Sequence, residues 1–228
     1  MEVLVPFSAD RPKSRLADAL SPSERATFAR TMLADVLAAI DRAGGDPHVL
    51  ATDEFDPSDG PVAGGPSPPV TVDDRPLTDA VNAVLAERRP GGEGDPLAVV
   101  MADLALATPA AFDRLFAGHA GGDGRDRSGA PDVSIVPGRG GGTNALVVSH
   151  PRFRVDYHGA SYLDHRRIAD EVGATVRTVD SHRLATDVDE RSDLAELLIH
   201  GDGAAAAWLR EAGFSLDADG GRVGVVRE

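Results

Sequence analysis

Short apolar runs alternate with longer stretches of helical period along the chain. This is the pattern of an α/β fold with a mostly parallel sheet and helices on both faces. EVLVPF, residues 2–7, predicts a first strand, and a polar loop carrying Lys13 and Arg15 follows it. SPSERATFARTMLADVLAAIDRAGG predicts a helix with clear punctuation: Ser21 at the N-cap, Pro22 in the first turn, Glu24 three residues after the cap, and Gly44-Gly45 at the end. HVLAT (48–52) and VTVDD predict two more strands around a loop rich in Pro, Gly and Asp at 53–69.

LTDAVNAVLAERR (77–89) predicts a helix stopped by Pro90. LAVVMAD (97–103) is apolar on both faces, which predicts a central parallel strand with Asp103 at its carboxyl end. PAAFDRLFAGH predicts a helix, DVSIVPG a strand, SYLDHRRIADEVGA a helix and TVRTVD a strand. ERSDLAELLIHG and GAAAAWLREAGF predict helices, and GGRVGVVRE an edge strand. The Gly/Asp/Arg segment at about 119–131 has linker composition, but neither side of it holds a complete βαβ set. One domain over 1–228 with a surface insertion there is the expectation.

Composition narrows the function classes. A formal charge of −14, from 37 acidic against 23 basic residues, argues against a protein whose main task is gripping nucleic acid. There is no cysteine, so disulfides and thiolate chemistry are excluded. MEVLVPF has no basic n-region, and nowhere do 18 apolar residues run together, so neither a signal peptide nor a membrane span is expected, and cytoplasmic residence is the default. Of the 23 Lys and Arg residues, Lys13 is the single lysine. Acidic, lysine-poor usage points to a protein of concentrated salt, where a Debye length of roughly 3 Å at 1 M screens surface repulsion. That scarcity makes Lys13 a candidate phosphate ligand rather than a surface charge.

Ligands of open parallel sheets bind beyond the carboxyl ends of the strands. Besides Lys13 and Arg15, three polar clusters are expected at that edge. Asp103 suits a hard cation such as Mg²⁺, its alternative being an N-cap. In PGRGGGTNAL, residues 137–146, the glycines allow backbone N–H groups to form an anion nest. Asp187 and Asp189, two apart in TDVDERSDL, share a face of extended backbone and so can meet one metal, unless one caps the following helix. Ser161 and His165 stand four apart on one helical face. The seven histidines show no ligand spacing such as HxxxH.

Taken in order, RPKSRL, VVMADLAL, VPGRGGGTNAL, GASYLDH and TDVDERSDL resemble the 2-phospho-L-lactate guanylyltransferase family, which serves coenzyme F-420 biosynthesis. The resemblance runs from Val3 to about Leu198 and implies a nucleotidyltransferase fold of the glycosyltransferase-A, Rossmann-like kind. It implies GTP and 2-phospho-L-lactate as substrates, Mg²⁺ as cofactor and a homodimer. Lys13 and Arg15 would then neutralise the triphosphate, and Asp103, Asp187 and Asp189 would hold the metal. Gly141, Gly142, Thr143, Asn144 and Ser161 would bind the second substrate, with His165 supporting them. Two other expectations remain: the same chemistry on phosphoenolpyruvate or a sugar phosphate, and a nucleotide-binding module without turnover. Guanine selection is expected from the 53–82 region.

Overall fold

A computed structural model describes residues 1–8, 12–57, 65–92, 94–119, 129–219, 221 and 223–228. Strand β1 (Glu2–Phe7) shows how the sheet divides the core. Val3, Val5 and Phe7 point to one face and Leu4 to the other, as the period of two requires. Helix α1 (Pro22–Arg42) covers the first face, beginning as its punctuation predicts. The Glu24 amide donates to Ser21 Oγ, and the Ser21 amide donates to Glu24 Oε2. Such a cap contributes about 1 kcal/mol. The apolar side of α1 buries Leu33, Val36, Leu37 and Ile40 against the sheet, each large side chain contributing about 1.5–3 kcal/mol.

Strands β2 (Asp46–Ala51) and β3 (Val70–Val72) and helix α2 (Leu77–Arg88) follow. Next come β4 (Leu97–Val100), α3 (Pro109–Phe116), β5 (Val133–Pro137) and β6 (Thr143–Val148). Helix α4 (Ser161–Val172) and β7 (Val176–Thr178) complete a seven-stranded sheet in the order β3-β2-β1-β4-β6-β5-β7. Helices α1 and α3 pack on one face, α2 and α4 on the other.

The sheet is mainly parallel, as expected, with one reversal. β4 pairs parallel with β1 but antiparallel with β6. The glycine loop at 138–142 returns the chain on itself, so β5 and β6 form a hairpin and β6 runs against its neighbours. The apolar run that predicts a strand to Asp103 ends at Val100, and Asp103 lies in the turn beyond it. The expected insertion falls mostly on residues 120–128, which lie outside the described residues.

A short helix α5 (His182–Ala185), α6 (Arg191–His200) and α7 (Ala204–Glu211) come last. The tail, β9 (Gly224–Arg227), does not extend the main sheet; it pairs antiparallel with β8 (Phe214–Asp217) in a separate ribbon. A third core cluster joins this ribbon to α6, α7 and the outer side of α1, where Phe28 stacks on Trp208 with ring centroids 5.2 Å apart. Among the described residues no helix is long and apolar enough to cross a membrane.

Candidate active site

Lys13 stands between β1 and a single 3-10 turn (Ser14–Leu16), in the left-handed conformation at φ 55°. A side chain with a Cβ is rarely held there, and such strain gathers at functional sites. This backbone turns the Lys13 ammonium inward, to 2.6 Å from Asp103 Oδ2 and 2.7 Å from Asp189 Oδ1. Burial lowers the ammonium's pKa, but the two carboxylates outweigh burial and raise it above the ordinary lysine value. Lys13 is therefore charged. Arg15 lies at the rim, 68% exposed, with its guanidinium 3.8 Å from Asp189 and 3.9 Å from Glu190.

Asp103 and the 187–189 segment meet through the backbone, where the Val188 amide donates to the Asp103 carbonyl. Neither capping alternative applies. Thr108 is the N-cap of α3, and the cap of α6 is a reciprocal pair between Glu190 and Asp193. The Asp193 carboxylate accepts from the amides of Asp189 and Glu190, which leaves the Asp187 and Asp189 side chains free of that duty. Burial pushes the Asp187 carboxyl up, the negative charge of Asp103 adds to the shift, and a hydrogen bond from Asn144 opposes it.

Asn144 faces these carboxylates. Its amide nitrogen donates to Leu184 O and to Asp187 Oδ1, each at 3.1 Å, so both hydrogens are used inward and the side chain orients Asp187. Thr143, one residue earlier on β6, points to the opposite face. There His165, wholly buried on α4, is held from both ring nitrogens. The Asp156 amide donates to Nε2, so Nε2 is the acceptor and Nδ1 carries the proton that it shares with Thr143 Oγ1 at 2.8 Å. Burial holds this imidazole down at about 4, hence neutral. The Thr143 hydroxyl accepts from His165 and keeps its own proton for another partner.

The glycine loop sits against the start of α4. Gly141 has φ +86°, its carbonyl accepts from the Tyr162 amide, and a Cβ added at Gly142 would lie 4.0 Å from Ser161 Oγ. The predicted group thus divides. Lys13, Asp103, Asp187, Asp189 and Asn144 assemble on the α1/α3 side, while Thr143, Ser161 and His165 assemble across β6 with Gly141 and Gly142 between them.

A cavity of about 180 Å³ opens beside Lys13, Asp103 and Asp189, with Pro6, Ser8 and Met101 in its walls. A second, of about 190 Å³, shares those three walls and extends to Leu50, Asp73 and Arg75. Asp73 accepts from the Arg75 guanidinium through both oxygens. No motif singles out Asp73; its only sequence signal is its place just after a strand, within the 53–82 region.

The donor set suits Mg²⁺. Asp103 Oδ1 is buried without a hydrogen-bond partner among the described residues, and of three neighbouring carboxylates two, Asp103 and Asp189, are paired with the one ammonium. Hard oxygen donors with excess negative charge are what this cation takes.

A family model described as "Guanylyl transferase CofC like" matches residues 1–227. The chain belongs to this family. A 2-phospho-L-lactate guanylyltransferase of Halorubrum lacusprofundi is 64% identical over 233 residues, covering 100% of both chains. Those of Haloferax volcanii and Methanoregula boonei are 53% and 44% identical, over 100% and 98% of this chain and 99% and 94% of theirs. Among solved structures, a candidate nucleotide-diphospho-sugar transferase from Desulfovibrio desulfuricans G20 superposes with a TM-score of 0.69 at 16% identity, over 92% of this chain and 94% of that one. The bifunctional IspDF of Campylobacter jejuni gives 0.54 at 11% identity, over 89% and 54%. The CofC-like chain shares its fold with these two proteins.

Proposed function

We propose that the protein transfers the guanylyl group of GTP to 2-phospho-L-lactate, giving lactyl-2-diphospho-5′-guanosine and pyrophosphate. The observation that carries this reading is the mostly buried Lys13 ammonium held between Asp103 and Asp189 beside a cavity at the carboxyl edge of the sheet. Support comes from full-length relatives that bear the name of this activity.

The chemistry needs charge management more than a base. A phosphate monoester oxygen of the acceptor forms a bond to the α-phosphorus as the bond from that phosphorus to the bridging oxygen of pyrophosphate breaks. The attacking dianion has no proton to lose, so neutralisation and in-line positioning carry the rate. Lys13 and Arg15 bind the triphosphate and stabilise the charge that grows on pyrophosphate. Asp103, Asp187 and Asp189 hold Mg²⁺, with Asp187 oriented by Asn144. When bound there, Mg²⁺ supplies further neutralisation of the phosphate oxygens.

The N–H groups of Gly141 and Gly142 and the hydroxyls of Thr143 and Ser161 hold the acceptor's carboxylate and phosphate. His165 fixes the Thr143 hydroxyl without touching substrate. The cavity at Leu50 and Asp73 takes the nucleoside. The test is pyrophosphate release in molar salt with Mg²⁺, pairing each nucleoside triphosphate with 2-phospho-L-lactate, phosphoenolpyruvate or no acceptor. Release with GTP and 2-phospho-L-lactate is expected. Release with phosphoenolpyruvate alone would reassign the acceptor, and silence from folded protein with every pair would reject the reading.

A further inference from the structure

The helices on either side of the Asp187–Asp189 segment carry a second cluster of donors. His182 opens α5, and Glu196 and His200 stand one turn apart on α6. His182 Nε2 lies 3.5 Å from Glu196 Oε2, and His200 Nε2 lies 3.6 Å from the same oxygen. Both separations exceed the usual hydrogen-bond range of about 2.7–3.2 Å. They lie near the roughly 3.3 Å between neighbouring ligand atoms in a tetrahedral site whose bonds are about 2.0–2.1 Å. All three donor atoms fall within 4.8 Å of one another.

The surroundings suit a bound cation. The other Glu196 oxygen, Oε1, is 4.0 Å from the Arg139 guanidinium, which leaves Oε2 turned toward the imidazoles. The Arg139 amide donates to Ala185 O, and the Arg183 guanidinium donates to the His200 carbonyl, so each of the two helices is anchored beside the cluster. The two imidazoles are half-exposed and Glu196 less so, which allows an ion to enter without unfolding. Two imidazoles with one carboxylate select a borderline transition metal over Mg²⁺, which prefers oxygen. Histidine spacing in the sequence hides the site, because its two histidines come from different helices 18 positions apart.

We propose that His182, Glu196 and His200 bind a divalent transition-metal ion of the Zn²⁺ class, which ties α5 to α6 and braces the segment carrying Asp187 and Asp189. This site is separate from the carboxylate cluster and does not depend on the proposed reaction.

Co²⁺ is the probe, added to chelator-stripped full-length protein in excess Mg²⁺ so that the carboxylate cluster is already filled. Expected are uptake of about one equivalent with visible absorption of a nitrogen-ligated ion, displacement by Zn²⁺, and at least tenfold weaker binding in His182→Ala and in His200→Ala. Hydrogen exchange over residues 182–200 should slow when Zn²⁺ is added to the wild type and stay unchanged in His200→Ala. Matching melting curves for the metal-free proteins establish that the variants fold. Absence of saturable uptake, or uptake undiminished in both histidine variants, would overturn the site. Binding without slowed exchange would overturn the brace.

Discussion

The Lys13 ammonium lies 2.6 Å from Asp103 Oδ2, joining two residues ninety positions apart, and the same nitrogen reaches Asp189. One cation thus bridges two of the three carboxylates proposed to hold Mg²⁺. Lys13→Ala is expected to lower turnover by about 10²–10³-fold while the fold survives. The same change frees Asp103 and Asp189, so Mg²⁺ should bind the nucleotide-free variant more tightly than the wild type. Lys13→Arg should not rescue turnover, because a planar guanidinium does not fit the compact, mostly buried position of the ammonium. Turnover assays and Mg²⁺ titration calorimetry on the three proteins check this, and near-normal turnover in Lys13→Ala would remove the assigned role.

Asp187 couples metal affinity to pH. Burial and the Asp103 charge raise its pKa above the ordinary carboxylate value, and a protonated carboxyl is a poor cation ligand. Mg²⁺ affinity should fall as pH drops through that raised value. Asp187→Asn should bind Mg²⁺ more weakly and lose this part of the pH dependence. Calorimetric titrations across the acidic range give the comparison, and identical pH profiles would refute it.

Gly138 is fixed by the side chain it passes. A Cβ there would stand 2.3 Å from Asn144 Oδ1. Gly138→Ala is therefore expected to cost about 1–3 kcal/mol of stability and to reduce turnover by displacing Asn144 from Asp187. Urea unfolding with a parallel rate measurement tests both effects. Gly140, where an added Cβ meets nothing within 4 Å, serves as the control, and Gly140→Ala should be much milder.

His165 makes folding sensitive to acid. Its native pKa is held at about 4 by burial, while the unfolded chain binds the proton near the ordinary value of about 6.5. Between these values the unfolded state holds more protons, so stability falls as pH drops from about 6.5 toward about 4, by at most roughly 1.4 kcal/mol per pH unit from this group. His165→Asn should be less stable at neutral pH and show a shallower acid slope. Denaturant unfolding at several pH values measures the difference, and an unchanged slope would contradict the assignment.

Asp73 offers carboxylate oxygens at the wall of the proposed nucleoside cavity. Guanine presents N–H donors that a carboxylate can accept, and adenine presents a different edge. Asp73→Asn is expected to reduce the preference for GTP over ATP by about tenfold or more, the scale of one charged hydrogen bond. The acceptor KM should stay close to the wild-type value. Competition kinetics with both nucleotides decides it, and an unchanged preference would move base selection elsewhere.

Much of this arrangement was readable from local patterns. Ser21, Pro22 and Glu24 announce the start of α1 because capping depends on neighbours in sequence. The alternation in EVLVPF and the scarcity of lysine likewise point to β1 and to Lys13. The apolar run puts Asp103 at a strand end, whereas pairing stops at Val100, because hydrophobicity does not show where pairing stops. The motif groups Asn144 with the acceptor site, whereas in the structure its amide turns to Leu184 and Asp187, on the same side as Ala145. The register shift between Val136 and Pro137 leaves Asn144 as an extra residue and breaks the alternation there, which a hydrophobic pattern does not reveal. β8 and α5 are short and carry little periodic signal, so the ribbon and the His182 cluster emerge only from packing.

The proposed reaction makes a new bond between the α-phosphorus of GTP and the phosphate of 2-phospho-L-lactate. Phosphorus NMR of a reaction containing the protein, Mg²⁺ and both substrates tests it most directly. Two mutually coupled resonances from an unsymmetrical diphosphate are expected, growing in step with an equal amount of pyrophosphate and absent with Lys13→Ala. Pyrophosphate without those coupled resonances, or unchanged substrate signals with folded wild-type protein, would contradict it.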